Sequence, residues 1–155
     1  MEAVPVRRNA AGRTPLQTAA LAVGGVFLAV GILGFIPGIT ADYDTMTFAS
    51  EDSDAELLGI FEVNVLHNLV HLLFGIAGIV AARAFDSSRL FLIGGGVIYA
   101  LLWIYGVIVD FDSGANFVAI NTADNWLHFL LAVAMIGLGV ALGRGTRVEG
   151  RRRPA

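Results

Sequence analysis

Two asparagines and two histidines recur at helical spacing within an otherwise apolar stretch, NVLHNLVH, at residues 64–71. Side chains three and four positions apart lie on one face of an α-helix, so this stretch presents a single polar stripe. Histidine can bind a metal, carry a proton or form hydrogen bonds, and asparagine can bridge two segments. A similar stripe occurs near position 124. The predicted polar core is Asn64, His67, Asn68, His71, Asn121, Asp124, Asn125 and His128.

The polar core contains an internal repeat. The spacing N-x-x-x-N-x-x-H at residues 64–71 occurs again 57 positions later, at residues 121–128. A shorter glycine motif aligns residues 24–26 with residues 95–97. The sequence therefore predicts two tandem helical hairpins in a parallel pseudo-repeat, related by an axis along the membrane normal.

The elements that carry these residues are long apolar segments. The chain is 56% hydrophobic and 15% charged, whereas soluble domains carry about 25% charged residues. Four segments reach the roughly 20 residues that a membrane-spanning helix needs, at 16–36, 60–82, 90–109 and 124–143. We expect an all-α integral membrane four-helix bundle, with tails at residues 1–15 and 144–155. The chain has no cysteine, which excludes disulfides and thiolate sites.

The charges predict the orientation. All ten basic residues are arginines, and with four spans every one of them falls on the same side. The positive-inside rule makes that side cytoplasmic, so both termini are expected in the cytoplasm of a multi-pass plasma-membrane (inner-membrane) protein. Most acidic residues fall in the two predicted outer loops. We expect the arginine-rich tail at 144–155 to lie along the anionic inner leaflet and not to bind nucleic acid.

Three interpretations of the polar core stay open. The first is a hydrogen-bond network that holds the four helices in register, as in a structural or accessory membrane protein. The second is an outward-facing site for a proton or small solute, because ionisable residues inside a membrane are costly. The inner halves of the predicted spans lack polar residues, which favours a pocket over a channel. The third is a haem or metal carrier, with the weak candidate ligands His67, His71 and His128.

The sequence predicts no catalytic residue and no cofactor. It contains no G-x-S-x-G, no H-E-x-x-H and no phosphate-binding glycine loop, so we expect a protein that is not an enzyme. The predicted partner is the lipid bilayer. Other membrane proteins, or further copies of the chain, are compatible partners.

Three stretches carry a resemblance to a known family: LLGIFEVNVLHNLVHLLFGIAGI, GGGVIYALLWIYG and NTADNWLHFLL. Over residues 16–142 the chain resembles a family of small four-span membrane proteins, catalogued as a domain of unknown function and found mostly in high-GC bacteria. The resemblance implies the four-helix fold and its topology. It implies no activity, cofactor or catalytic residue.

Overall fold

A computed structural model describes residues 12–144 of the chain. Most of the two predicted tails lies outside the described part: residues 1–11 of the first tail and residues 145–155 of the arginine-rich second tail. Within residues 12–144 the structure confirms an all-α fold of four helices. These are α1 Pro15–Leu33, α2 Val65–Ala81, α3 Phe85–Ile108 and α4 Thr122–Leu142. Helices α1, α3 and α4 are long and apolar enough to cross a membrane, and α2 is a shorter apolar helix of 17 residues.

The helix starts are fixed by capping side chains. Thr14 caps α1 in a reciprocal pair with Gln17, and Pro15 occupies the first helical position. The second span was predicted to begin near Ile60, but helix α2 begins at Val65. Asn64 ends the extended segment before the helix and accepts a hydrogen bond from the backbone N–H of His67, which fixes the helix start.

The connection between α2 and α3 is shorter than predicted. The predicted spans 60–82 and 90–109 leave residues 83–89 as the connection, but α3 begins at Phe85 and the turn occupies residues 82–84. The Ser88 hydroxyl donates to the carbonyls of Ala81 and Ala84, at 3.0 and 2.7 Å. The first bond satisfies the carbonyl of the last residue of α2 and the second joins Ser88 to the residue that precedes α3, so the chain reverses without a longer loop.

A small antiparallel sheet, which the sequence did not predict, lies in the first outer loop. Its strands are β1 Thr40–Ala41, β2 Glu56–Leu57 and β3 Phe61–Glu62, in the order β1-β2-β3. Beneath it, buried residues of the loop pack against Val30 and Leu33 at the end of α1. We call this end of the bundle, which carries the loops at 34–64 and 109–121, the outer end, and the opposite end the inner end.

Helix α1 packs mainly against α2, and α3 mainly against α4, both antiparallel. Close approach depends on small residues, because a Cβ added to Gly24 would stand 2.8 Å from the backbone nitrogen of Ile79. The central core joins both hairpins. Its buried residues are Leu16, Ala20, Phe27, Ala82, Phe91, Leu92, Tyr99, Ala132 and Met135.

Candidate functional site

The two hairpins place equivalent residues in equivalent contacts. A Cβ added to Gly24 would meet the nitrogen of Ile79, and one added to Gly96 would meet the nitrogen of Ile136, at 2.8 and 3.0 Å. Ile79 and Ile136 are 57 positions apart, as the polar repeat predicts. Gly24 and Gly96 are 72 apart, so the predicted alignment of residues 24–26 with 95–97 was wrong by one position.

The first asparagine of each repeat is a helix cap. Asn64 accepts from the backbone N–H of His67 at 2.9 Å, and Asn121 accepts from that of Asp124 at 3.0 Å. Both residues therefore stand just before their helices and satisfy N–H groups that a helix start leaves unpaired.

The side-chain amides of these two caps join the outer loops. The amide of Asn64 donates to the carbonyl of Phe117 at 2.9 Å, and the amide of Asn121 donates to the carbonyl of Ile60 at 2.8 Å. Phe117 lies four residues before Asn121, and Ile60 lies four residues before Asn64. The same bond is therefore made twice, once in each direction.

The second asparagine of each repeat faces a glycine of the preceding helix region. A Cβ at Gly34 would overlap the side chain of Asn68, and a Cβ at Gly106 would overlap that of Asn125. Asn68 is fully buried, and its amide nitrogen lies 3.9 Å from the sulfur of Met46. The sequence analysis missed both glycines, although their spacing of 72 residues repeats that of Gly24 and Gly96.

The histidines lie together inside the outer half of the bundle. His67, His71 and His128 are each less than one-tenth exposed. The ring centroid of His67 is 4.6 Å from that of His71 and 6.2 Å from that of His128. The two polar stripes predicted from the sequence therefore meet across the bundle.

Aromatic rings close the histidine group from the inner side, and the sequence analysis did not include them. Phe27 stacks on His71 with ring centroids 5.8 Å apart, and Tyr99 contacts His128 edge to face at 5.3 Å. Phe27 and Tyr99 also stack on each other at 5.2 Å. They are 72 positions apart, so both contacts again obey the repeat.

A cavity of about 50 Å³ lies among the three imidazoles. We call it the histidine cavity. Its lining consists of His67, Val70, His71, Tyr99, Leu102, Val118, Ile120 and His128. The Nδ1 atoms of all three histidines are buried, and within residues 12–144 they have no hydrogen-bond partner. The side-chain oxygens of Asn68 and Asn125 are also buried without a partner among these residues, and such atoms are uncommon in folded proteins.

The repeat is broken at one position of the site. His67 and Asp124 are equivalent, being the third residues of α2 and α4. Asp124 accepts from the backbone N–H of Asn121 at 3.2 Å and completes a capping box. His67 instead lines the histidine cavity together with Val118 and Ile120 of the loop before α4. At this position one half contributes an imidazole to the histidine cavity, and the other half contributes a capping carboxylate.

Acidic side chains of both outer loops lie near Glu62, at the outer end of the bundle. Burial raises the pKa of Glu62 above its ordinary value of 4.5, and the neighbouring carboxylates of Glu56, Asp54 and Asp112 raise it further.

Within residues 12–144, no group of three or more histidine or carboxylate side chains has an arrangement that could hold a metal ion. The weak metal candidates His67, His71 and His128 are close together but not placed as ligands.

The comparisons with known proteins give one match. The family model described as Domain of unknown function (DUF4383) matches residues 17–141, most of the chain. No curated protein and no solved structure matches.

Proposed function

Because the chain belongs to the family described as Domain of unknown function (DUF4383), which names no activity, we propose a function from the structure itself. The protein is an integral membrane protein of the plasma membrane, whose four helices cross the bilayer with both ends of the chain in the cytoplasm. Its role is structural or accessory. The outer half of the bundle is held by the buried polar core.

The observation that carries this proposal is the reversed polarity of the bundle. Large apolar side chains point outward along the helices, such as Leu73 at 66%, Leu101 at 60% and Leu130 at 60% exposed. The histidines and Asn68 point inward and are buried. A surface of this kind is unfavourable in water, whereas hydrocarbon covers it without cost.

The described charges support the orientation. Arg13, Arg83, Arg89 and Arg144 all lie at the inner end of the four helices, whereas the acidic residues Glu56, Glu62, Asp110 and Asp112 belong to the outer loops. By the positive-inside rule the inner end is cytoplasmic.

The natural absence of cysteine makes the topology directly testable. Asp44→Cys in the outer loop should react with a membrane-impermeant thiol reagent added to intact cells. Asp86→Cys, an exposed position at the inner end, should react only after the membrane is permeabilised. Leu101→Cys, facing lipid, is the matched unreactive control. Labelling of Asp86→Cys in intact cells, or release of the protein by alkaline carbonate, would contradict the proposal.

A second candidate function is an outward-facing binding protein for a proton or small solute. The histidine cavity favours it, because three imidazole side chains line one small space. Residues 72–81 of α2 and 129–142 of α4 are entirely apolar or glycine, which supports a pocket closed toward the inner end. The double variant His71→Gln/His128→Gln separates the two candidates. Lower thermal stability with unchanged solute flux in liposomes favours the structural role, and lost flux in a stable variant favours transport.

A further inference from the structure

We propose that a groove between α3 and α4 binds one acyl chain of a phospholipid from the outer leaflet. We call it the α3–α4 groove. It has a volume of about 390 Å³, and its lining includes Ala100, Trp103, Phe129, Val133 and Gly137. This inference goes beyond the structural role proposed above and rests on the proposal that the bundle lies in a membrane.

The α3–α4 groove is apolar and opens on the outside of the bundle. Every residue that lines it is aliphatic, aromatic or glycine. Val133 is 57% exposed and Gly137 is also exposed, so the groove faces the surface that hydrocarbon covers in a membrane. Its volume falls within the roughly 300–1,000 Å³ that is usual for ligand sites, and such sites are mostly apolar. The lining therefore fits a hydrocarbon ligand.

The first hairpin shows how the equivalent position is filled when no ligand is needed. Leu28 and Gly75 of the first hairpin are equivalent to Ala100 and Ala132 of the second. A Cβ added to Gly75 would stand 2.8 Å from the Cβ of Leu28, so this leucine lies directly against the glycine in the contact between α1 and α2. Ala100 lacks the branched end of a leucine side chain. The groove therefore lies where the second hairpin lacks the leucine that the first hairpin has.

Two aromatic rings lie beside the groove. Trp103 and Phe129 have ring centroids 5.0 Å apart, and they are equivalent to Gly31 and Leu72 of the first hairpin. A Cβ added to Gly31 would stand 2.8 Å from the Cγ of Leu72, so the first hairpin is closed at this level by a glycine against a leucine. In a bilayer an apolar ligand is held by van der Waals contact and not by removal from water. The two large rings supply many such contacts.

Trp126 indicates which leaflet supplies the chain. It is 62% exposed, lies near the start of α4, and meets the ring of Phe129 edge to face at 6.2 Å. Tryptophan is enriched at the membrane–water interface. From position 129 to position 137 the groove extends along α4 for about 12 Å, at 1.5 Å per residue. It thus runs from below the outer interface toward the middle of the bilayer, as an acyl chain of the outer leaflet does.

A helix of a second copy fits the groove less well than an acyl chain. Helix contacts in lipid are enriched in small residues and in hydrogen bonds between helices. The exposed neighbours of the lining along α3 and α4 are instead the large aliphatic side chains of Leu101, Ile104 and Leu130. A helix with its side chains is about 10–12 Å wide, so it would rest on these side chains, whereas an acyl chain enters between them.

The test uses a tryptophan of the groove as the reporter. The chain contains two tryptophans, so Trp126→Phe leaves Trp103 as its only indole. The full-length variant in detergent is titrated with a phosphatidylcholine that is brominated along its acyl chains, because bromine quenches indole fluorescence at contact. We expect quenching that saturates at one lipid per protein. Native mass spectrometry of the wild type should show one retained lipid.

Matched variants separate the groove from the rest of the lipid-facing surface. Gly137→Leu places a side chain in the groove, where a Cβ meets nothing within 4 Å, and Ala100→Leu copies Leu28 of the first hairpin. Both variants should lose the saturating quenching and the retained lipid. Gly25→Leu is the same change at an exposed glycine of α1, whose Cβ also meets nothing within 4 Å, and it should keep both.

Each other outcome overturns the inference. Quenching of Trp103 that rises without saturation shows only the lipid annulus, and saturation that survives in folded Gly137→Leu and Ala100→Leu proteins places the lipid elsewhere. A lipid-free dimer that dissociates in Gly137→Leu assigns the groove to a second copy of the chain. If the filling variants do not fold, the titration of Trp103 and the lipid count of the wild type decide. Failure of the membrane proposal appears separately, in the thiol-labelling experiment.

Discussion

Asn64 and Asn121 hold the two outer loops to each other by the same bond made in opposite directions. Each side-chain oxygen caps its own helix, and each side-chain amide donates to the loop of the other hairpin, at 2.9 and 2.8 Å. One residue type therefore sets the start of a helix and joins the two halves. This double use explains why the repeat begins with asparagine. Aspartate caps equally well but has no side-chain donor, and in serine or threonine a single hydroxyl would have to serve as both the capping acceptor and the donor.

Replacing either capping asparagine should destabilise the protein by a similar amount. Asn64→Ala and Asn121→Ala each lose a cap, worth about 1 kcal/mol, and a hydrogen bond between loops, worth about 1 kcal/mol more. We expect a lower midpoint of thermal unfolding for both variants in detergent. Asn64→Ser is the control, because its hydroxyl keeps a capping oxygen, adds no charge at this buried position and removes the amide donor. Its loss should be smaller than that of Asn64→Ala, and an equal loss would show that the bond to Phe117 contributes the whole effect.

The glycines at the helix contacts provide a prediction with an internal control. A Cβ at Gly24 or Gly96 would stand 2.8 and 2.7 Å from its nearest neighbours, including backbone atoms, whereas one at Gly25 would meet nothing within 4 Å. Gly24→Ala and Gly96→Ala should force the paired helices apart and lower the unfolding midpoint. Gly25→Ala should be neutral or stabilise by about 0.5–1 kcal/mol, because alanine favours the helix. Equal tolerance of all three changes would argue against the close packing.

The sequence alone predicted the four helices and the 57-residue polar repeat, and the polar core built from that repeat stays a prediction. Apolar length and helical spacing carry that information directly. It did not predict that Asn64 and Asn121 are caps. The apolar segment that contains α2 already begins at Ile60, so apolar length alone does not show that the helix starts at Val65. Nor did it show the contacts of Phe27 and Tyr99 with the histidines. Those contacts depend on how α1 and α3 are aligned with α2 and α4, and a shift of one residue in the glycine motif was enough to obscure them.

Gly34 and Asn68 should be energetically coupled. A Cβ at Gly34 would overlap the buried Asn68 side chain, so Gly34→Ala should destabilise the wild type. In the background of Asn68→Ala, where that side chain is removed, the same change should cost much less. Unfolding free energies of the four proteins in a double-mutant cycle measure the coupling, which contacting residues typically show at about 0.5–3 kcal/mol. Gly106 and Asn125 form the equivalent pair, and a coupling near zero in both cycles would refute the contact.

Glu62 should make stability depend on pH. Burial raises its pKa in the folded protein above the unfolded value of 4.5, with further increases from Glu56, Asp54 and Asp112. Between these two values the folded state binds more protons than the unfolded state, so stability falls as the pH rises through that window. Glu62→Gln removes the penalty of the charge and should unfold at a higher temperature than the wild type at pH 7. The difference should shrink toward pH 4.5, where Glu62 itself becomes protonated.

Asp44→Asn, an exposed change in the same loop, is the control for charge alone, and thermal unfolding between pH 4 and pH 8 is the measurement. A gap between Glu62→Gln and the wild type that stays constant over this range would contradict the burial of Glu62 as its cause.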